Sequence, residues 1–339
     1  MIYSNLSNIL FLRDKMKAII PVAGAGTRLK PHTHTVPKAL MYVAGKPILG
    51  HILDELESLG VTEIIFIIGY LGEMITEYVD NTYHFKAYYL RQDELRGLGH
   101  AINLAKDYIN DESVLIILGD TIFKADLQSV LNGEYSAIGV KNVRDPHRFG
   151  IVEMKNGFIA RLVEKPDEPK TDLAIVGIYY IHNSQLLFKC LDELITKDIR
   201  TKGEYQLTDA LQMMIDKEEK IKTFLIDGWY DCGKPETLLE TNRYLLEKIH
   251  HEVLVEGSII IPPVFIADSV TIENSIIGPF VSIADNSFIS NSVIKNSIIN
   301  KNAVVKNILL VESLVGDKAS VNGKFNKLNV GDSSEIDFS

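Results

Sequence analysis

The sequence is poor in the residues on which disulfide-rich, zinc-binding and membrane proteins depend. Its 339 residues include only two cysteines, Cys190 and Cys232, and no CxxC pair, which excludes a disulfide framework and a cysteine-based zinc site. No apolar run approaches the ~20 residues that span a bilayer. Basic residues number 35 against 45 acidic ones, so no interface for nucleic acid or an anionic membrane is expected. These absences favour a protein of the reducing cytoplasm.

From Lys17 onward, apolar segments alternate with amphipathic ones, a pattern typical of a sheet with helices on both faces. The predicted strands are KAIIPV, EIIFIIG, VLIILGD and SAIGVKN, and the predicted helices are PILGHILDELESLG, GEMITEYVD, LGHAINLAKDYI and DLQSVLN. In GIVEMKNGFIARLVEK, Asn156 and Gly157 separate two alternating runs, which predicts a tight hairpin. We therefore predict a doubly wound α/β fold whose mixed sheet gains antiparallel strands in its second half.

After about residue 250, apolar residues recur at every fifth or sixth position. The recurring residues are Ile260, Ile266, Ile272, Ile277, Ile283, Ile289, Ile294, Ile299, Val305, Leu310, Val315 and Val321. A helix cannot produce this period, whereas a parallel β-helix turns one apolar residue inward on each side of a triangular coil. Asn, Ser, Asp and Gly fill the positions between them, as tight corners require. The pattern predicts about four coils.

These changes in pattern predict the domain organisation. We expect an N-terminal extension at residues 1–15, an α/β domain at 16–250, a β-helix domain at 251–325 and a tail at 326–339. The extension is expected to be dispensable, because the first predicted strand begins directly after Met16. Since stacked coils leave exposed strand edges, we also expect a homo-oligomer, a dimer or tetramer.

The first predicted strand leads into the loop GAGTRLK, for which three phosphate-binding interpretations can be compared. A dinucleotide-binding loop requires a third glycine where Leu29 stands, and a Walker loop requires a terminal GK[ST] that is absent. The remaining interpretation is a glycine-rich turn whose amides line an anion site, to which Arg28 and Lys38 add positive charge. An ordinary strand-to-helix turn with surface cations is the alternative. Pro31 and Pro37 restrict the path between the two cations, which favours a stiff loop.

The longer stretch GAGTRLKPHTHTVPKAL resembles the signature of sugar-1-phosphate nucleotidylyltransferases, and within them the glucose-1-phosphate thymidylyltransferases. The resemblance covers about residues 16–245. It implies a Rossmann-like nucleotide-diphospho-sugar transferase fold, and some members carry a C-terminal left-handed β-helix. It also implies transfer of a nucleotidyl group to a sugar 1-phosphate with release of pyrophosphate, with dTTP and glucose 1-phosphate as the favoured substrates and UTP the next.

Site residues follow from the resemblance position by position. It implies that Arg28, Lys38 and Lys165 are catalytic, that Gly24, Ala25, Gly26, Thr27, Gln92 and Gly97 bind the nucleotide, that Gly150, Glu164, Lys165, Gly177 and Tyr179 bind the sugar phosphate, and that Asp120 and Asp231 hold Mg²⁺. The residues alone indicate less. Asp120 ends a predicted strand, where open α/β sheets bind ligands, although an aspartate such as Asp120 or Asp231 can also serve as a helix or turn cap.

Two departures from the family pattern are present. The segment QDELRGLGHA lacks the proline that usually follows Gln92 and the Ala-Gln-Ala that usually follows Gly97-Leu98, which bears on the base that is recognised. Thr121 replaces the asparagine that is frequent after the metal-binding aspartate.

The sequence disfavours two alternatives to this enzyme. A catalytically silent relative that binds nucleotide sugars is disfavoured, because Arg28, Lys38, Asp120, Lys165 and Asp231 are all present. A bifunctional enzyme whose β-helix transfers acyl groups is set aside, because that activity needs a catalytic histidine and residues 252–339 contain none.

Overall fold

The computed structural model describes residues 16–249 and 253–324. The predicted N-terminal extension and C-terminal tail lie outside the described residues. The chain divides into two compact units, one formed by Met1–Met41 with Lys46–Thr241 and the other by Tyr42–Gly45 with Asn242–Ser339. The domain limits predicted from the sequence, 16–250 and 251–325, stay a prediction.

The first part of the chain contains strands and helices in alternation. The strands are β1 (Lys17–Pro21), β2 (Tyr42–Val43), β3 (Lys46–Pro47), β4 (Glu63–Ile68), β5 (Lys86–Arg91), β6 (Val114–Ile117), β7 (Thr121–Lys124), β8 (Ser136–Asn142), β9 (Gly150–Lys155), β10 (Phe158–Glu164), β11 (Leu173–Ile181), β12 (Ile221–Leu225) and β13 (Gly228–Asp231). The helices are α1 (Ile48–Ser58), α2 (Gly72–Thr82), α3 (Leu98–Asn103), α4 (Leu127–Leu131), α5 (Ser184–Thr196), α6 (Leu207–Asp216) and α7 (Pro235–Leu246). Among the described residues, every helix is too short or too polar to span a bilayer.

The main sheet is mixed, as predicted. Its strand order is β10-β9-β11-β6-β1-β4-β5, and β8 pairs with both β11 and β12. Strands β6, β1, β4 and β5 run parallel. Strand β11 runs antiparallel to its neighbours β6, β8 and β9. The carboxyl ends of the parallel strands therefore meet at one edge of the sheet, where ligands bind in open α/β folds.

The two faces of this sheet bury separate hydrophobic clusters. In β1, Ile19 contributes to one cluster while Ala18 and Ile20 contribute to the other, because successive side chains of a strand point to opposite faces. Helices α3, α5 and α6 supply buried residues to the first cluster, and α1, α2 and α4 supply them to the second. This two-sided packing confirms the doubly wound architecture.

The individual predictions for the α/β part hold with one exception. The four predicted strands correspond to β1, β4, β6 and β8, and the four predicted helices to α1, α2, α3 and α4. The predicted hairpin joins β9 to β10 through Asn156 and Gly157, which have φ values of 54° and 81°, as a type I′ turn requires. The exception concerns the end of VLIILGD. Strand β6 stops at Ile117, so Asp120 lies in the turn between β6 and β7 and not at the end of a strand.

The C-terminal part is a left-handed parallel β-helix. Its strands are β14 (Ile259–Ile260), β15 (Val264–Ile266), β16 (Thr271–Glu273), β17 (Ile276–Ile277), β18 (Val281–Ile283), β19 (Phe288–Ser290), β20 (Val293–Lys295), β21 (Ser297–Ile299), β22 (Val304–Lys306), β23 (Leu309–Val311), β24 (Leu314–Val315) and β25 (Ser320–Asn322). They form three four-stranded parallel sheets, so the described residues contain the four predicted coils.

All twelve recurring apolar residues belong to the core of the β-helix, where eight are buried and Ile260, Ile266, Leu310 and Val321 are partly buried. Asparagines occupy many of the corners. Asn274, Asn286, Asn291, Asn296, Asn302 and Asn307 all have positive φ, which asparagine tolerates better than most residues. The period read from the sequence therefore identified the inward row of every coil.

The outward faces of the β-helix differ in how they are covered. On the sheet β15-β18-β21-β24, the outward Ser282 hydroxyl donates to Asn242 Oδ1 at 2.6 Å, and the Ala44 N–H donates to the same oxygen at 2.8 Å. On the sheet β14-β17-β20-β23, four aligned residues point outward, namely Ile259, Ile276, Val293 and Leu309. Ile259, Val293 and Leu309 are 58%, 39% and 65% exposed. We call this set the apolar row.

Candidate active site

The glycine-rich loop after β1 folds back on itself. It contains three short 3₁₀ turns, Thr27–Leu29, His32–His34 and Lys38–Leu40, and no α-helix, as the two prolines predicted. Gly26 has a φ of 58°, and a Cβ there would lie 3.0 Å from Lys38 Cβ and from Thr33 Cγ2. The Thr33 hydroxyl donates to the Gly26 carbonyl at 2.9 Å. The loop is therefore compact, and it brings Lys38 back beside the glycines.

Two aspartates from distant parts of the chain meet at Lys38. Asp120 lies in the turn before β7, and Asp231 is the last residue of β13, where it pairs with Thr121 at the start of β7. Lys38 Nζ lies 2.6 Å from Asp120 Oδ2 and 3.7 Å from Asp231 Oδ1. The lysine side chain is 11% exposed, while those of the aspartates are 40% and 31% exposed. Both carboxylates thus face a single cation and remain accessible from solvent.

This donor set suits a hard divalent cation. Because one ammonium lies within 3.7 Å of both carboxylates, the two acids are close enough to share one positive ion. Mg²⁺ commonly takes one or two carboxylates and fills its other positions with water and substrate phosphates. Among the described residues, no group of three or more His, Cys, Asp or Glu side chains could hold a metal by itself. The two aspartates fit a magnesium site that substrate completes.

Arg28 also lies close to Asp231. Gly233, which the sequence analysis did not identify, leaves room for both side chains. A Cβ on Gly233 would lie 2.8 Å from Arg28 Nη2 and 2.8 Å from Asp231 Oδ1. Contacts this short would force one of the two side chains away. Gly233 therefore permits Arg28 and Asp231 to approach the same point. Its position two residues after Asp231 is the sequence feature that could have indicated its importance.

Cys232 lies between Asp231 and Gly233 in sequence, but its side chain packs in the interior. The thiol is fully buried and donates to Thr241 Oγ1 at 3.5 Å. Burial raises the pKa of the Cys232 thiol to about 12, so it stays protonated and unreactive.

A cavity of about 360 Å³ opens beside Lys38 at the carboxyl edge of the sheet. Its lining includes Gly24 after β1, Gln92 after β5 and Asp120 after β6. Gly24 has no atom within 4 Å of the position a Cβ would take, so at this point the loop backbone faces open space. Another cavity, of about 510 Å³, lies where β8 and β12 begin, and none of the predicted site residues lines it.

Gln92 and Gly97 are held together at one side of the 360 Å³ cavity. Gln92 is 6% exposed, and its amide nitrogen donates to the Gly97 carbonyl at 3.3 Å and to His100 Nδ1 at 3.1 Å. Gly97 has a φ of 107°, and a Cβ there would meet the Tyr205 carbonyl at 2.5 Å, so only glycine fits. The structure therefore joins the two residues predicted to contact the base.

Tyr205 supports this wall and was missed by the sequence analysis. Its N–H donates to the Arg96 carbonyl at 2.9 Å, and its carbonyl accepts from the Gly99 N–H at 2.8 Å. The guanidinium groups of Arg96 and Arg200 lie 5.0 and 4.7 Å from the centre of the Tyr205 ring. The segment after residue 200 thus fixes the backbone around Gly97. In the sequence, the segment EYQLTD before an amphipathic helix was the feature that could have drawn attention to Tyr205.

The residues predicted for the sugar form a second cluster. Glu164 ends β10, and its Oε2 accepts from the Thr208 hydroxyl at 2.7 Å. A Cβ on Gly150 would lie 3.0 Å from that carboxylate oxygen, so Gly150, Glu164 and Thr208 meet. Lys165 has a φ of 42°, and its Nζ lies 3.5 Å from Glu164 Oε1 with the side chain 47% exposed. Thr208 is an addition to the predicted set.

Gly177 and Tyr179 lie differently from this cluster. Gly177 interrupts the pairing of β11 with β8 and has a φ of 88°. A Cβ there would meet the Leu118 side chain at 2.5 Å, and Leu118 lines the 360 Å³ cavity. Tyr179 is 4% exposed inside a hydrophobic cluster, and burial raises its pKa, with the Glu164 charge adding to the effect. The Tyr179 ring therefore packs in the core, and its predicted role in binding the sugar phosphate stays a prediction.

A doubly wound sheet that gathers cations and carboxylates beside a glycine-rich loop defines a class of phosphate-binding α/β proteins. Within that class, residues 17–248 match the nucleotidyl transferase family, and the chain belongs to it. This confirms the resemblance read from the loop sequence.

The chain is also similar in sequence to individual nucleotidyltransferases. The chain is 42% identical over 257 residues to the bifunctional protein GlmU of Methanocaldococcus jannaschii, an alignment that covers 73% of this chain and 60% of the relative. It is 35% identical to the UTP–glucose-1-phosphate uridylyltransferase AglF of Haloferax volcanii, covering 69% of this chain and 98% of the relative. The chain therefore spans only about 60% of the length of the GlmU relative.

Among solved structures, a UDP-glucose pyrophosphorylase complexed with UDP-glucose is similar. The TM-score is 0.60 with 25% sequence identity, and the match covers 69% of this chain and 99% of the other. The fold of the first unit is thus that of the family.

Proposed function

We propose that the protein transfers a nucleotidyl group from a nucleoside triphosphate to a sugar 1-phosphate, forming a nucleotide sugar and releasing pyrophosphate. The observation that carries this proposal is the meeting of Lys38 with Asp120 and Asp231 beside a cavity lined by the glycine-rich loop. Three side chains with no local relationship in sequence converge there, and each is of the type that the reaction requires.

In the reaction, an oxygen of the sugar phosphate forms a bond to the α-phosphorus. The bond from that phosphorus to the oxygen bridging it to the β-phosphate breaks, and pyrophosphate leaves with the electron pair. The second pKa of a phosphate monoester is ~6, so the attacking oxygen is already ionised and no general base is needed. The protein must instead hold two anions in line and neutralise their charge.

The chain's own residues have separate roles in this task. Arg28 and Lys38 neutralise the triphosphate, and the loop from Gly24 to Thr27 binds its phosphates, with open space beside Gly24. Lys165 binds the phosphate of the sugar, while Glu164, held by Thr208, accepts from sugar hydroxyls. Asp120 and Asp231 would hold Mg²⁺, which when bound supplies further neutralisation of phosphate charge.

We further propose glucose 1-phosphate as the sugar substrate and a uracil or thymine nucleotide as the donor. The sequence resemblance favours dTTP. The name of the Haloferax volcanii relative and the UDP-glucose in the similar solved structure support UTP. Both nucleotides have the same hydrogen-bonding edge, so one pocket can serve either.

The experiment is a matrix of substrates with pyrophosphate release as the readout. Purified protein with Mg²⁺ is incubated with UTP, dTTP, CTP, ATP or GTP against a panel of sugar 1-phosphates. We expect turnover with glucose 1-phosphate and UTP or dTTP, and formation of the triphosphate when pyrophosphate is added to the nucleotide sugar. A protein that binds nucleotide sugars but turns over no pair would be the catalytically silent relative.

We also propose that the protein is a homo-oligomer whose β-helix binds a second copy of the chain through the apolar row. Neighbouring residues of this row are one strand apart, about 4.8 Å. A second copy presents the same residues at the same spacing, so the two rows can interdigitate along their length. The outward face that carries Ser282, by contrast, is already covered by Ala44 and Asn242 of its own chain.

Light scattering after size-exclusion chromatography tests the oligomer. We expect the wild type to have a mass of two or four chains and Leu309→Asp to shift it toward the monomer. Thr271→Asp is the matched control, because Thr271 is also exposed but lies on the sheet β16-β19-β22-β25. A monomeric wild type at micromolar concentration would contradict the proposal.

A further inference from the structure

The orientation of the Gln92 amide is determined by its protein neighbours. One neighbour is the Gly97 carbonyl, at 3.3 Å. A carbonyl can only accept a hydrogen bond, so the atom facing it must be the amide nitrogen. Among the described residues, the amide nitrogen makes both side-chain hydrogen bonds of Gln92, to Gly97 and to His100, and the amide oxygen makes none.

The second neighbour, His100, is then constrained in turn. An amide nitrogen can only donate, so His100 Nδ1, at 3.1 Å, must accept. The ring is therefore neutral and carries its proton on Nε2. Burial lowers the pKa of His100, the Arg96 charge lowers it further, and Glu94 acts in the opposite sense. A neutral ring near pH 7 is consistent with this environment.

The amide oxygen of Gln92 is thus left for a ligand. Gln92 lines the 360 Å³ cavity and is 94% buried from solvent, since its exposure is 6%. An acceptor fixed in this way matches a base whose ring nitrogen carries a hydrogen. Uracil and thymine carry one on N3, whereas N3 of cytosine is an acceptor and would face the oxygen with two lone pairs in opposition.

We propose that His100 is a positioning residue that sets base selectivity, by holding the Gln92 amide with its oxygen toward the cavity. The site then accepts uracil and thymine nucleotides and rejects cytosine nucleotides. This inference rests on the proposed function, because it takes the cavity around Gln92 as the base site. His100 also stands at the position where the sequence departs from the family's Ala-Gln-Ala.

The test compares two substitutions. In His100→Asn, the side-chain oxygen can take the place of Nδ1 and accept from Gln92. In His100→Leu, the acceptor at 3.1 Å is lost and only the Gly97 carbonyl, at 3.3 Å, still accepts from the amide nitrogen, so the amide orientation is held less firmly. Steady-state kinetics with glucose 1-phosphate gives kcat/KM for UTP and for CTP, and titration calorimetry gives the affinity for each triphosphate without the sugar phosphate.

We expect wild type and His100→Asn to prefer UTP over CTP by about 10²-fold or more, since a site built to pair with one edge leaves its polar groups unpaired with the other. His100→Leu should lose at least about 10-fold of that ratio, through a raised KM for UTP with kcat little changed. A His100→Leu protein that keeps the wild-type ratio would overturn the proposal, and so would an equal loss in both variants.

Two further measurements keep the inference testable by itself. The ¹⁵N NMR spectrum of the His100 ring in the wild type should show the Nε2–H tautomer, and an Nδ1–H ring would refute the proposal without any substitution. Calorimetry separates it from the proposed function. If no triphosphate is turned over, the enzyme assignment fails, while a UTP preference in binding that His100→Leu abolishes would still support the role of His100.

Discussion

The candidate active site and the β-helix are built in opposite ways. Lys38 and Asp120 are 82 residues apart in sequence and meet at 2.6 Å, so their contact depends on the whole α/β fold. In the β-helix, stacked neighbours such as Ile277 and Ile294 are 17 positions apart, and each coil repeats the packing of the previous one. The first arrangement places a few charges accurately, and the second buries a regular core.

This contrast indicates where each region is vulnerable. The site should be sensitive to charge and insensitive to small changes in buried volume elsewhere. The β-helix should show the reverse, since its described core residues are aliphatic. Four substitutions test the contrast.

The largest effect is expected from removing the charge of Asp231. Asp231→Asn should lower kcat by about 10³-fold, in the range for losing one preorganised electrostatic contact, with little change in thermal stability because the side chain is 31% exposed. Pyrophosphate release and a thermal melt are the measurements. Asp227→Asn is the matched control, an exposed aspartate just before β13. Near-normal turnover in Asp231→Asn would remove it from the proposed site.

A cavity in the β-helix should give the converse result. Ile294 is fully buried in the core, and Ile294→Ala should lower the free energy of unfolding by about 2–5 kcal/mol. Turnover at 25 °C should stay within about twofold, because the substitution touches no charge of the site. Lys295→Ala, on the same strand and exposed, is the control and should change stability by less than about 0.5 kcal/mol. An Ile294→Ala protein that is stable but inactive would break the contrast.

A substitution at Gly24 tests whether the candidate active site can be obstructed without destabilising the fold. Because no atom lies within 4 Å of its would-be Cβ, Gly24→Ala should fold normally and obstruct only the ligand. We expect KM for the triphosphate to rise by about 10-fold, equal to about 1.4 kcal/mol, with the melting temperature unchanged. Gly133→Ala, where a Cβ would lie 3.1 Å from the Val130 carbonyl, should leave KM unaltered. An unchanged KM in Gly24→Ala would show that phosphates do not approach this part of the loop.

The smallest effect concerns Asp209, whose Oδ2 is buried without a partner in the described structure. Burial raises the pKa of Asp209, a hydrogen bond with Thr201 opposes part of the rise, and the Glu164 charge adds to it. A raised carboxyl pKa means that the folded state binds the proton more tightly than the unfolded state. The favourable contribution of this proton to the free energy of unfolding is therefore present at acid pH and is lost as pH rises through the pKa of the folded state. Asp209→Asn should therefore stabilise the protein at pH 7 by about 1 kcal/mol.

The pH dependence checks that sign. The gain from Asp209→Asn should shrink when thermal unfolding is repeated near pH 4, where the wild-type carboxyl is increasingly protonated. A gain that is equal at both pH values would contradict the assigned cause.

The same contrast explains what the sequence could predict. All twelve residues predicted to face inward belong to the β-helix core, because a short period repeats the same local geometry at every step. The glycines and prolines between Gly24 and Lys38 correctly predicted a stiff loop and not an α-helix. The burial of Tyr179 in a hydrophobic cluster could not be predicted, since nothing in AIVGIYY shows which neighbours fill the space around its ring.

Gly233 and Thr208 were missed for a related reason. Each matters only through a partner far away in sequence, Arg28 for Gly233 and Glu164 for Thr208. Such contacts follow from how the sheet strands are ordered, and neither periodicity nor composition encodes that order. Asp120 was placed near the right edge but at the wrong position, because an apolar run does not mark the residue at which pairing stops.

The regular stacking of the coils has an evolutionary consequence. A coil of 16 or 17 residues contacts mainly the coils before and after it, so duplication or deletion of one coil preserves the packing of the rest. Every residue of the candidate active site precedes Asn242, and its sequence would be untouched by such a change. The C-terminal part can therefore grow or shrink in whole steps while selection acts on the chemistry separately.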